Sequence, residues 1–146
     1  MMGALAKKLF GDGTKKFRTY VGDTAFLKAA AAIAANVTAA DGKIEDAEIK
    51  ASKKVMLANP IIKPSFDPSA IERELNAALD RAETRSGRHE NAQIIKGVET
   101  RDQADRDALF LIGVDVADVG EVGEKEDAAL TKIAELLLVD KAALMA

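Results

Sequence analysis

Two short acidic turns carry the residues of this chain best suited to chemistry. The first is Ala39-Ala40-Asp41-Gly42-Lys43-Ile44-Glu45-Asp46-Ala47-Glu48, and the second is Ala117-Asp118-Val119-Gly120-Glu121-Val122-Gly123-Glu124-Lys125-Glu126. Each sets an aliphatic residue two positions after a glycine and a glutamate four positions beyond that: Gly42, Ile44 and Glu48, then Gly120, Val122 and Glu126. The copies lie about half a chain apart. Hard cations such as Ca²⁺ and Mg²⁺ take several carboxylate and carbonyl oxygens, so a duplicated acidic turn is a physical route to cation binding. In the first turn the candidate ligands are Asp41 and Glu48, with Glu45 or Asp46 assisting. In the second they are Asp115, Asp118 and Glu126. The metal expected is a divalent ion, Ca²⁺ ahead of Mg²⁺ or Mn²⁺.

Neither turn is a complete EF-hand loop. Asp41 to Glu48 matches the second half of one, but Val37 and Ala39 stand where the first half needs oxygen ligands. In the second turn Asp115 and Glu126 are twelve-residue endpoints, yet Val119 replaces the acid before the glycine, leaving Asp118 to substitute. Asp115 also stands near the apolar stripe of its helix, beside Ile112. A half-buried carboxylate needs a cation or a hydrogen-bond donor as its partner. The plain alternative stands beside the metal reading: acids in a first helical turn are favoured by the macrodipole and by capping alone, and Asp-Gly is ordinary turn chemistry.

Other chemistries find little support. The chain has no cysteine, which excludes thiolate sites and disulfides. Its one histidine, His89, lies in the polar run Arg85-Ser86-Gly87-Arg88-His89-Glu90 and reads as a surface residue. No nucleophile motif and no phosphate loop are present, so the expectation is a protein without catalytic function. Residues 1–22 form a basic amphipathic lead, with Lys7, Lys8, Lys15, Lys16 and Arg18 set among Leu5, Leu9, Phe10, Phe17 and Tyr20. It reads either as a solvated segment docking its apolar side on the remainder or as a peripheral contact with an anionic inner membrane. Nucleic acid is the weaker partner for so acidic a remainder. The absence of an apolar signal segment and of cysteine fits the cytoplasm.

The elements that must position the turns are helices. Hydrophobic residues make up 48% of the 146 positions but aromatics only 4%, which suits an aliphatic, close-packed helical core. Apolar spacing predicts about seven helices in one compact bundle, residues 23–146, built from two duplicated helix-turn-helix halves. The first, capped by Asp23 or Thr24, carries Phe26, Ala30, Ile33 and Val37 inward and is ended by Gly42. The second, Asp46 to Ala58, has Ile44, Ala47, Ala51, Val55 and Ala58 as its stripe. A third, opened by Asp67-Pro68, buries Ile71, Leu75, Ala78, Leu79 and Ala82 and is interrupted at Ser86-Gly87. A weaker helix over His89–Glu99, strong ones over Asp102–Val116 and Lys125–Leu138, and a short Lys141–Met145 helix capped by Asp140 complete the set.

Together these features resemble the TerB family of tellurite-resistance proteins and the related helical region of the DjlA membrane co-chaperones. The helix Ala30–Ala40 leading into Asp41-Gly42-Lys43-Ile44 and Glu48 is similar to the family's first acidic motif. Gly113-Val114, Gly120, Val122, Glu124 and Glu126 are similar to its second, and Ile133-Ala134-Glu135-Leu136-Leu137, Asp140 and Leu144 to its terminal helices. The resemblance implies an all-helical duplicated bundle with an acidic, metal-holding face. It also implies a cytoplasmic scaffold or sensor of tellurite resistance and the stress response, partnered by other proteins of that system. Val119 in place of the family's second aspartate, and Gly123 in place of a polar or acidic residue, leave the second site weaker, shifted toward Asp118 and Asp115, or lost. The alternative is a metal-independent protein interaction module. The chain offers no thiol to reduce or ligate a tellurium oxyanion, so direct detoxification is not expected of it.

Overall fold

The computed structural model describes residues 19–118 and 122–146. The basic run from Lys7 to Arg18, and Val119, Gly120 and Glu121 of the second turn, lie outside the described residues. Among the described residues there are seven helices and no strand: α1 Thr24–Thr38, α2 Asp46–Ala58, α3 Pro68–Ala82, α4 Arg85–Lys96, α5 Gln103–Ala117, α6 Glu124–Leu137 and α7 Lys141–Met145.

Helix α1 is the axis of the bundle. It meets α2, α3, α4, α5 and α6, and Ala29 through Ala35 retain no exposed surface. An alanine-rich helix can be enclosed in this way because its neighbours approach without long side chains intervening. One close approach is at Gly113 of α5, where a Cβ would sit 2.8 Å from Ile33 Cγ2. Asp23 starts α1, its Oδ1 accepting from the Phe26 amide at 3.2 Å.

The chain ahead of α1 is pinned to the bundle by a compact polar and aromatic cluster. Tyr20 is buried, stacks on Phe26 with ring centroids 3.7 Å apart, and donates its hydroxyl to Asp105 Oδ1 at 2.8 Å. Arg101 bridges Asp23 and Asp105 with its guanidinium 5.7 Å from the Phe26 ring centroid. Tyr20, counted with the lead on sequence, is thus part of the helical core.

Three local expectations are corrected. Helix α1 ends at Thr38, not at Gly42. Gly42, with φ of +91°, instead supplies the left-handed residue of the turn beyond it, four positions past the helix end. The expected stripe of α2 holds in part: Ile44 and Val55 pack half-buried against the core and Ala51 is half-buried, but Ser52 and Met56 are its buried residues and Ala47 and Ala58 are exposed. Its alanines are too small to define the face, and the larger Met56 takes the core position. Finally, Ser86-Gly87 does not interrupt a helix but lies in the first turn of α4, capped by Thr84 Oγ1 accepting from the Gly87 amide at 3.0 Å. A Cβ on Gly87 would fall 1.6 Å from the Arg81 carbonyl oxygen, so the tight α3–α4 corner requires glycine. Behind this corner the buried Asn91 accepts from Arg81 and donates to Asn36 and to the Ala78 carbonyl, tying α1, α3 and α4 together. The α3 stripe Ile71, Leu75, Ala78, Leu79 and Ala82 is buried as expected.

Candidate functional site

The helix starts that follow the two acidic turns are closed by the same local device. In the first, α1 unwinds through Ala40 N–H to the Val37 carbonyl and Gly42 N–H to the Ala39 carbonyl, and Asp41 Oδ1 accepts from the Lys43 amide at 3.2 Å. The chain then enters α2, where Glu48 at the third helical position reaches back and accepts from the Glu45 amide at 2.9 Å. In the second turn Glu126 does the same at the start of α6, accepting from the Gly123 amide at 2.9 Å. Each glutamate thereby satisfies an amide that the helix start leaves without a partner. The departure at Gly123 is harmless to this device, since only its backbone amide is used.

The turns converge. Asp41 and Glu48 from the first, and Glu124 and Glu126 from the second, line one open cleft of about 460 Å³ together with Thr38, Gly123 and Lys125. A smaller crevice of about 180 Å³ shares Thr38, Glu48 and Glu126 and continues inward along Val37, Ala51, Ser52 and Val116. At its base the Thr38 and Ser52 hydroxyls lie 2.6 Å apart, with Thr38 also donating to the Ala34 carbonyl. All the oxygen donors here are hard, of the kind Ca²⁺, Mg²⁺ and Mn²⁺ accept. Their spacing is another matter. Among the described residues no three acidic side chains are close enough together to hold an ion as they stand, and one oxygen of Glu48 and one of Glu126 are already committed to amides.

The remaining predicted ligands sit elsewhere. Glu45 and Asp46 are exposed at the N-terminus of α2 and are not among the cleft walls. Asp115 is half-buried on α5, and its Oδ2 accepts from Asn59 Nδ2 at 3.2 Å. Asn59 is itself fixed at the end of α2, its Oδ1 accepting from the amides of Ile61 and Ile62. The partner that Asp115 demanded on sequence is therefore a neutral amide. Burial, with the Asp118 charge second, raises the Asp115 carboxyl above its ordinary pKa. Asp118 is exposed at the C-cap of α5. Thus Glu126 shares a cleft with Glu48, not with Asp115 and Asp118. Sequence reasoning left out Thr38, Lys125 and Glu124 as walls. Glu124 was visible as part of the acidic motif, whereas Thr38 reads from sequence only as the end of an alanine-rich helix.

No curated protein and no solved structure matches this chain. The model of one family, described as tellurite resistance protein TerB, matches residues 27–146, a span that holds all but the first turn of the central helix, both acidic turns and all the helices that follow, and the chain belongs to the TerB family.

Proposed function

We propose that this TerB-family chain is a non-catalytic cytoplasmic scaffold or sensor of tellurite resistance and the stress response, and that its acidic cleft takes up a divalent cation, Ca²⁺ ahead of Mg²⁺ or Mn²⁺. The observation that carries the reading is the convergence of two turns, half a chain apart, on one cleft with four carboxylates and a single lysine. Like charges gathered in this way repel, and a cation offsets that repulsion. The donors of the reading are the uncommitted oxygens of Asp41, Glu48, Glu124 and Glu126. Since they do not form a preassembled cage, uptake draws the α2 and α6 starts together, and cation affinity becomes coupled to the angle between those helices. That coupling is what a sensor needs.

A second reading has its own support. The backbone bonds made by Glu48 and Glu126 give both residues a sufficient structural reason to be acidic, in which case the chain is a metal-independent interaction module. Calorimetric titration of chelator-stripped protein separates the two. Saturable heat with Ca²⁺, Mg²⁺ or Mn²⁺ in the micromolar to millimolar range supports the cation; no heat and no change in melting temperature leaves the module alone.

A further inference from the structure

Beside the acidic cleft, with which it shares Lys125, α4 and α6 leave an open groove of about 390 Å³, with the end of α1 as its floor. The α6 wall is a continuous helical stripe: Lys125, Ala128, Ala129, Lys132, Ile133 and Leu136 follow one another at alternating intervals of three and one residues. Across from it stand Arg88, His89 and Ala92 of α4. The floor is Asn36 and Ala40, the Asn36 amide being bonded to the Arg88 carbonyl and to Asn91, and the apolar lining is Ala92, Ala128, Ala129, Ile133 and Leu136. Every ionisable side chain on the rim is basic, Arg88, His89, Lys125 and Lys132, in a chain whose net charge is −3.

We propose that this groove docks an amphipathic helix of a partner protein, one with an apolar ridge flanked by acidic residues. The charge of the rim selects the occupant. The chain's own lead, with Lys7, Lys8, Lys15, Lys16 and Arg18, carries the same sign as the rim and does not complement it. The walls select the conformation. Both are helices whose backbone groups are internally bonded, so no strand can be added by main-chain pairing, and a groove between two helices with small and aliphatic lining suits the helix-in-groove mode. Ala92, Ala128 and Ala129 allow an incoming helix to approach closely, and the stripe from Lys125 to Leu136 runs about 16 Å, long enough for three turns. This inference identifies a surface and a partner chemistry for the scaffold reading. It holds whether or not the acidic cleft takes up an ion, because Lys132 and Ala128 line the groove alone.

The test uses the full chain, isotopically labelled for NMR, and two synthetic helical peptides of about four turns with the same leucine ridge, one flanked by glutamates and one by lysines. The glutamate peptide is expected to bind at least about tenfold more tightly and to shift the amides of Ala92, Ala129, Lys132 and Leu136. The exposed substitution Lys132→Glu should reverse the preference between the peptides. Ala128→Glu should weaken the glutamate peptide, with the melting temperature of each variant confirming its fold. The proposal is overturned by equal affinity for the two peptides, by shifts centred outside the groove, or by no binding up to about 1 mM. It is equally overturned if the same amides respond to phosphatidylserine vesicles, which would make the occupant a lipid surface, or to protein concentration alone, which would make it a second copy.

Discussion

Replacing both Glu48 and Glu126 with glutamine separates the two jobs these side chains combine. Glutamine keeps a carbonyl oxygen for the Glu45 and Gly123 amides, now served at 2.9 Å in each turn, but removes two negative charges from the cleft. The structural loss is the attraction of a carboxylate to a helix N-terminus, about 0.3–1 kcal/mol for each. Relief of repulsion among the four cleft carboxylates opposes it. The net change should lie within about 1 kcal/mol, or about 2–4 °C in melting temperature for a domain of this size. A cation at ten times its Kd stabilises the wild type by RT ln 11, about 1.4 kcal/mol, which corresponds to about 3–6 °C. Thermal unfolding followed by circular dichroism, in chelator-stripped protein with and without Ca²⁺, therefore resolves the two effects. The wild type should gain its increment and the double glutamine variant should not, although both fold. A double variant that keeps the whole Ca²⁺ increment would refute the assignment of the cleft as the cation site. The double alanine variant is the control for capping: it also removes the acceptors, at about 0.5–2 kcal/mol for each helix start.

Two carboxylates should give opposite pH dependences. Asp115 is raised above its ordinary value, by burial and then by Asp118, so its ionisation costs stability as pH rises through the folded pKa; Asp115→Asn keeps an acceptor for Asn59 and should be more stable than wild type at neutral pH, with the difference vanishing below the ordinary aspartate pKa. For Asp23, burial pushes the carboxyl up, but the Arg101 hydrogen bond, the Phe26 amide and the Arg101 charge together outweigh it and hold it below its ordinary value; its contribution is fully present above the unfolded pKa and is lost as pH falls through the folded one, so Asp23→Asn should flatten the acid limb of a urea-stability profile. Gly113→Ala would push a Cβ to 2.8 Å from Ile33 Cγ2 in the closed centre of the bundle, costing about 1–3 kcal/mol; an unchanged urea midpoint would show that α1 and α5 are not so closely packed.

Much of the fold was legible because long apolar periodicities and strong caps agree locally. The α3 stripe, the bounds of α2 and of α7, and the Asp140 cap all follow from side-chain type and spacing alone. The misreadings share one origin. Where the candidates for burial are alanines, as in α2, they weight no face over another, and Met56 and Ser52 were assigned their places by neighbouring helices. Gly87 looked like a helix breaker because glycine is locally unfavourable in a helix, whereas the reason for it is the Arg81 carbonyl of another helix.

The sequence by itself determined that the chain is all helical, that its two turns are acidic, and that Glu48 and Glu126 stand where a glutamate can close a helix start. These are properties of residues within a few positions of one another. Which carboxylates share a cleft was decided only by tertiary structure. Packing around α1 brings Asp41 and Glu48 against Glu124 and Glu126, and gives Asp115 to Asn59. The same packing leaves the basic stripe of α6 facing an open groove beside α4. Those pairings cross tens of residues and depend on the angle at which each helix leaves its neighbour, which is set by the fit of small side chains in the core and by no local pattern in the chain.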